Sequence, residues 1–206
     1  MQTNPAQPRT ILAVDVEGST LRTNTAKARY RRVMYEFLDT TLAEVGIDER
    51  ARENFIDCGD GALVLIRPVD HAPKTVLLDT VLPRLSALLC AFALSEPEHR
   101  FRLRSVLHAG EVHFDDRGCY GTPVDLAFRL LNAVGTKRQL IVADVPLVVV
   151  TSDHIYDNVV RHNYPGIDPA AFVPSVRTRV AGRNHRGWTW HVPPLVKPSG
   201  VCCTSR

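Results

Sequence analysis

The chain has 206 residues, 45% hydrophobic and 23% charged, with a formal net charge of +3. That length fits one domain with a real core, and so mild a charge makes no case for nucleic-acid binding by electrostatics alone. The polar first nine residues exclude an ordinary signal peptide, no apolar stretch reaches the roughly 18–20 residues that span a bilayer, and the expected location is the cytoplasm.

Residues 9–16 read as a buried strand carrying Ile11, Leu12, Val14 and Val16. Residues 24–45 read as a helix, because Val33, Phe37, Leu38, Leu42 and Val45 recur at three- and four-residue spacing and Gly46 supplies a C-cap. Residues 53–57 and 62–66 read as paired strands around a Gly59-Asp60-Gly61 turn. Past Pro73 a leucine-rich pattern from Val76 to Leu89 reads as a second helix, with Pro83 expected to kink it or open a new first turn. Residues 101–114 read as a long strand and residues 123–134 as a helix opened by Pro123. Residues 146–151 are β-branched and read as a strand, followed by a short helix over 152–161 capped at Ser152-Asp153. Residues 176–181 and 187–192 read as a closing hairpin around Arg183-Asn184-His185-Arg186-Gly187. The domain so defined covers 9–192, between a flexible segment 1–8 and a Pro-rich tail 193–206 expected to be disordered. This alternation of strands and helices predicts an α/β sandwich.

Two aspartates stand out. Asp15 ends the apolar run Ile11-Leu12-Ala13-Val14 and is followed by Val16-Glu17-Gly18-Ser19-Thr20; Asp60 lies in the tight Gly59-Asp60-Gly61 turn. Each aspartate either caps its turn or binds a metal. A carboxylate at the end of a buried strand is costly unless paired, which favours the metal. Hairpin packing would bring the two carboxylates to a shared pair of ions, beside a turn whose N–H groups suit phosphate. His108 and His113 lie five apart on one strand, so they face opposite ways and read as structural. Five cysteines, Cys58, Cys90, Cys119, Cys202 and Cys203, match no zinc spacing and read as reduced thiols.

Four motifs in order resemble the catalytic domain of class III nucleotidyl cyclases over residues 9–192: Asp15 to Thr20, Gly59-Asp60, Leu103 to Val112 with its His108-Ala109-Gly110-Glu111, and Tyr120 to Leu130. The compact single-domain form looks most like the small bacterial Pycsar-type cyclases that make cyclic UMP or cyclic CMP. The resemblance implies a ferredoxin-like βαββαβ core with added elements and a homodimer with two shared sites. It also implies a 3′,5′-cyclic nucleotide and pyrophosphate as products of a nucleoside triphosphate, UTP or CTP, with the cyclic product read by a separate effector in antiphage signalling. Asp15, Asp60 and the Val16 carbonyl would hold two Mn²⁺ or Mg²⁺ ions. Gly18, Ser19, Thr20 and Arg183 would hold phosphates, and Arg129 would stabilise the transition state. No nucleic-acid partner and no membrane insertion are expected.

The chain also departs from the family pattern. Asp125 stands where the family has an asparagine, and an ionised aspartate cannot donate a hydrogen bond. The adenine-reading lysine and aspartate are replaced by Ile56 and Gly118, Cys119 is one residue away from the guanine-reading cysteine, and Tyr120 is placed to pack near a base. These departures motivate a second reading, a non-catalytic cyclase-fold module that binds nucleotide or a partner. A generic metal-dependent phosphohydrolase is a third, but it has no need of the series from His108 to Arg129.

Overall fold

The computed structural model describes residues 5–193. The expectation of a disordered tail, and Cys202 and Cys203 with it, falls outside that range except at residue 193. The flexible segment expected over 1–8 is overturned at its end, where Gln7 and Pro8 already pair with Val112 and Glu111.

One mixed sheet of eight strands organises the chain, in the order β2-β3-β1-β4-β6-β8-β7, with β5 paired to β4. The strands are β1 (Gln7–Val16), β2 (Ile56–Asp57), β3 (Gly61–Ile66), β4 (Leu103–Asp115), β5 (Gly118–Tyr120), β6 (Leu147–Ser152), β7 (Phe172–Val180) and β8 (Arg183–His191). β1 lies between β3 and β4 and runs antiparallel to both, while β4 and β6 are parallel. All six residues of β3 are buried, as are all six of β6, which explains their unbroken apolar runs.

The helices are α1 (Asn24–Ala43), α2 (Lys74–Val76), α3 (Leu82–Ser95), α4 (Thr122–Leu131), α5 (Val134–Val142) and α6 (Asp153–Asn158). One core layer packs α1, α3 and α6 against the sheet through Met34, Leu38, Leu82, Leu85 and Ile155. The opposite face of the sheet carries α4, through Val124, Leu126, Ala127, Leu130 and Leu131. The chain is therefore the expected sandwich, with helices on both faces of a sheet larger than a four-stranded core.

Pro83 lies in the first turn of α3, the second of the two outcomes expected for it. The five residues Leu77–Val81, just before it, widen into a π turn that joins α2 to α3. The continuous helix Lys74–Ser95 is 22 residues long and apolar enough to cross a membrane, a length the sequence reading did not foresee. Its side chains Leu77, Leu78, Val81, Leu82, Leu85 and Leu89 are instead wholly buried in the core. The expected helix over 123–134 is α4, which ends at Leu131, and a further helix that the sequence reading did not contain, α5, follows at Val134. The expected closing hairpin is corrected as well: it turns at Ala181 and Gly182, with φ of 47° and 78°, so residues 183–187 belong to β8. Two consecutive residues at positive φ make the tight turn that suits twisted strands, and a loop at 183–187 would have broken the pairing of Arg177 to Arg186 and Thr178 to His185.

Candidate active site: a two-carboxylate cleft

The β1–β3 pairing builds the cleft. Asp15 stands opposite Gly61 in register, so the Gly59-Asp60-Gly61 turn lies directly beside the end of β1. The Val16 amide donates to the Asp60 carbonyl at 3.1 Å and locks the two segments together. Gly61 has to be glycine for this approach, since a Cβ there would collide with the Val14 carbonyl oxygen. A cleft of about 610 Å³ opens above the junction, lined by Asp15, Val16, Gly18, Ser19, Thr20 and Asp60. All the metal and phosphate positions expected from the first two motifs therefore meet in one place.

After Asp15 the chain turns through Gly18, whose φ of 63° and ψ of 23° lie in the left-handed region, into a short 3₁₀ turn, Ser19–Leu21. The backbone N–H groups of Gly18, Ser19 and Thr20 have no hydrogen-bond partner among the described residues. Successive free amides of this kind form a concavity suited to an anion. The Ser19 hydroxyl donates to Asp60. Below the turn, Glu17 and Arg102 form a two-pronged ion pair at 2.7 and 2.8 Å that fixes its base.

The donor set suits a hard cation. It consists of two carboxylates with a backbone carbonyl beside them, and no cluster of three or more His, Cys, Asp or Glu side chains occurs among the described residues. Mg²⁺ and Mn²⁺ accept such sparse sites because water and substrate phosphates complete their coordination. Cys58 also lines the cleft, but burial raises its thiol above the ordinary range, so it is present as the neutral thiol.

The sequence reading missed Arg104. It faces Asp15 across the β1–β4 register and forms an ion pair with it. The two side chains are only 11% and 14% exposed. Lys137, on α5, and Asn132, just beyond α4, line the same cleft. Lys137 was hidden because α5 was not predicted as a separate helix. Arg104 was hidden because only register places it beside Asp15.

Asp125 and Arg129 lie one turn apart on α4, both exposed, and line a second cleft of about 550 Å³ with Arg179, Val180 and Ala181. Phe128 and Asn132 border both clefts. Within one chain, then, the structure does not bring Arg129 to Asp15 and Asp60. Arg183 begins β8 instead of lying in the expected turn, and it lines none of the described clefts; Arg179 is the hairpin arginine that shares a cleft with Arg129.

The three expected base-contacting positions flank the α4 face of the sheet. Ile56 packs on the same core cluster as Cys58, Phe114 and Cys119. Tyr120, 44% exposed, stacks on His113 with ring centroids 5.3 Å apart. Gly118 is exposed and contributes no side chain.

Neither a family model nor a curated protein matches the sequence. Solved structures do resemble it. An adenylate/guanylate cyclase/hydrolase from Silicibacter pomeroyi has 19% identity over 92% of this chain and 99% of its own, with a TM-score of 0.57. The guanylyl cyclase Cya2 has 14% identity over 99% of this chain and 100% of its own, with a TM-score of 0.60. The catalytic core of a rhodopsin-guanylyl cyclase with converted specificity, in complex with ATPαS, has 14% identity over 92% and 97%, with a TM-score of 0.57. At such identities the likeness is one of architecture: this chain has the fold of adenylate and guanylate cyclase catalytic domains.

Proposed function

We propose that the protein is a metal-dependent nucleotidyl cyclase, converting a nucleoside triphosphate to a 3′,5′-cyclic nucleotide and pyrophosphate. The observation that carries this reading is one cleft holding both Asp15 and Asp60 beside the free amides of Gly18, Ser19 and Thr20, on a cyclase catalytic fold. Asp15, Asp60 and the Val16 carbonyl would hold two Mn²⁺ or Mg²⁺ ions, which when bound acidify the ribose 3′-hydroxyl and neutralise the triphosphate. The free amides orient the β- and γ-phosphates. The 3′-hydroxyl gives up its proton to solvent water as its oxygen attacks the α-phosphorus, the bond from that phosphorus to the α,β-bridging oxygen breaks, and pyrophosphate leaves.

Arg129 is the group for charge developing on the α-phosphate. Its separation from Asp15 within one chain supports a shared site, with Arg129 entering from a second copy in a two-fold dimer. Asp125 borders the same position. Ile56 and Gly118 give no side-chain hydrogen bond to a purine edge, which supports a pyrimidine substrate, UTP or CTP. With the resemblance to Pycsar-type cyclases, this supports a cyclic pyrimidine messenger in antiphage signalling, read by a separate effector.

The test is incubation of the purified chain with ATP, GTP, CTP and UTP plus Mn²⁺, with mass spectrometry of the products. Cyclic UMP or cyclic CMP is expected, absent from an Asp15→Ala/Asp60→Ala variant. Dominant cyclic AMP would overturn the pyrimidine assignment. Asp125 favours a second reading, since its carboxylate adds repulsion beside a triphosphate: a module that binds nucleotide without turning it over. Metal-dependent binding with no product, unchanged in Asp125→Asn, would establish that reading instead.

A further inference from the structure

A separate cleft of about 570 Å³ lies toward the other end of β1, where Thr10, Asp70, Lys74 and Glu111 line it. Thr10 and Asp15 are an odd number of residues apart on β1, so they face opposite sides of the sheet. The cleft shares no residue with the one that holds Asp15 and Asp60. Its donors are unused. Thr10 is only 8% exposed, and its hydroxyl makes no hydrogen bond among the described residues. Lys74 opens the 22-residue helix Lys74–Ser95, behind Pro73 and with no side-chain cap. The Lys74 and Thr75 amides have no hydrogen-bond partner among the described residues. A helix start carries positive partial charge, so a lysine there opposes the dipole. Lys74 is half-buried, and it forms no ion pair among the described residues. Asp70 and Glu111 form none either. One cleft thus holds a cation and two carboxylates that do not meet. Arg9 also lines it, but its guanidinium is committed to Glu53.

We propose that this cleft binds a small zwitterion of the amino-acid type, its carboxylate on Lys74, the two free amides and the Thr10 hydroxyl, its ammonium on Asp70 and Glu111. A carboxylate at the helix start answers every unused donor: Lys74 by charge, the amides and the hydroxyl by hydrogen bonds. The ammonium end is what selects the class. A plain anion such as phosphate gains the same donors but is repelled by Asp70 and Glu111. A plain cation gains the carboxylates but is repelled by Lys74 and by the helix dipole. Only a molecule carrying both charges matches both ends. Ala72 and Ala109 wall the cleft with small apolar side chains, and its volume lies in the range of ordinary ligand clefts.

Binding to the full metal-free chain tests this without turnover. Melting is followed with each standard L-amino acid, and with acetate, methylammonium and inorganic phosphate at the same concentration; those that raise Tm are titrated by calorimetry. At least one L-amino acid is expected to bind with a Kd of about 1 mM or tighter. Acetate, methylammonium and phosphate are expected to give no comparable shift. Affinity for the amino acid is expected to fall roughly tenfold or more in Lys74→Met, in Asp70→Asn/Glu111→Gln and in Thr10→Val. Lys74, Asp70 and Glu111 have no partner among the described residues, so their variants keep the fold even if Thr10→Val does not. Asp60→Ala is expected to bind the amino acid as wild type does. No L-amino acid binding at that level, an equal shift from acetate or phosphate alone, or unchanged affinity in any folded variant of the cleft would overturn the proposal. Loss of binding in Asp60→Ala would overturn it too, by placing the ligand in the first cleft.

Discussion

Ser19 donates its hydroxyl hydrogen to Asp60 across 41 positions of sequence, tying the phosphate-type turn to the second carboxylate. Asp15, the other carboxylate, is tied instead to a cation, Arg104. The two aspartates of one cleft are thus held in opposite ways, and their removal has different structural consequences.

Asp15→Ala leaves Arg104 as a buried unpaired charge, a loss of roughly 3–5 kcal/mol. In a domain of this size that lowers Tm by about 6–20 °C. Asp60→Ala loses one neutral-donor hydrogen bond, worth about 1 kcal/mol or somewhat more. Both variants are expected to lose cyclic product. Calorimetric melting separates them, and equal Tm values would contradict the buried-pair account.

Arg129 is exposed and makes no ion pair among the described residues, so Arg129→Ala leaves the fold intact. Under the shared-site reading it lowers kcat by about 10²–10³, the loss typical of one transition-state donor. Mixing Arg129→Ala with Asp60→Ala then restores activity, because each mixed dimer regains one intact site. About a quarter of wild-type activity is expected from random pairing of equal amounts. No recovery on mixing would place the whole site in a single chain.

Gly61→Ala is expected to be far worse than an ordinary glycine substitution. The added methyl meets the Val14 carbonyl oxygen, a backbone atom held in the β1–β3 ladder that cannot turn aside. The strands must separate where Asp15 and Asp60 meet. Loss of cooperative melting, or soluble protein with no Mn²⁺ binding, is the expected outcome. A folded, metal-binding Gly61→Ala would refute the close approach.

His108 is 6% exposed and bonded to the Ser152 hydroxyl at 2.7 Å. Burial first, then the charges of His154 and His185, lower its pKa from 6.5 to about 4. The unfolded chain therefore takes up a proton near pH 6.5 that the folded chain refuses until about pH 4. Stability falls as pH drops through that window, by about 3 kcal/mol, and levels off below it. Urea melts of wild type and His108→Gln between pH 7 and pH 4 check this. The variant is expected to lose most of that acid-side slope, and an unchanged slope would assign it to other groups.

Local sequence determined much of this protein. The runs in β1, β3 and β6 are apolar because both faces of those strands are covered, and α1 shows its helical spacing because one side is buried. The turns at Gly18 and Gly59 were legible because few residues other than glycine take their positive φ at little cost. Asp15, Asp60 and the Gly18–Thr20 turn could be named together because each belongs to a short contiguous motif. What only the tertiary structure decided depends on register and on contacts between distant segments. The hairpin turn lies at Ala181-Gly182, since strand pairing outweighed the local turn-like composition of residues 183–187. Arg104 meets Asp15 through a β1–β4 register that no local pattern encodes. Arg129 stands apart from the aspartates because α4 presents it to a different cleft, a position set by how the helix packs on the sheet.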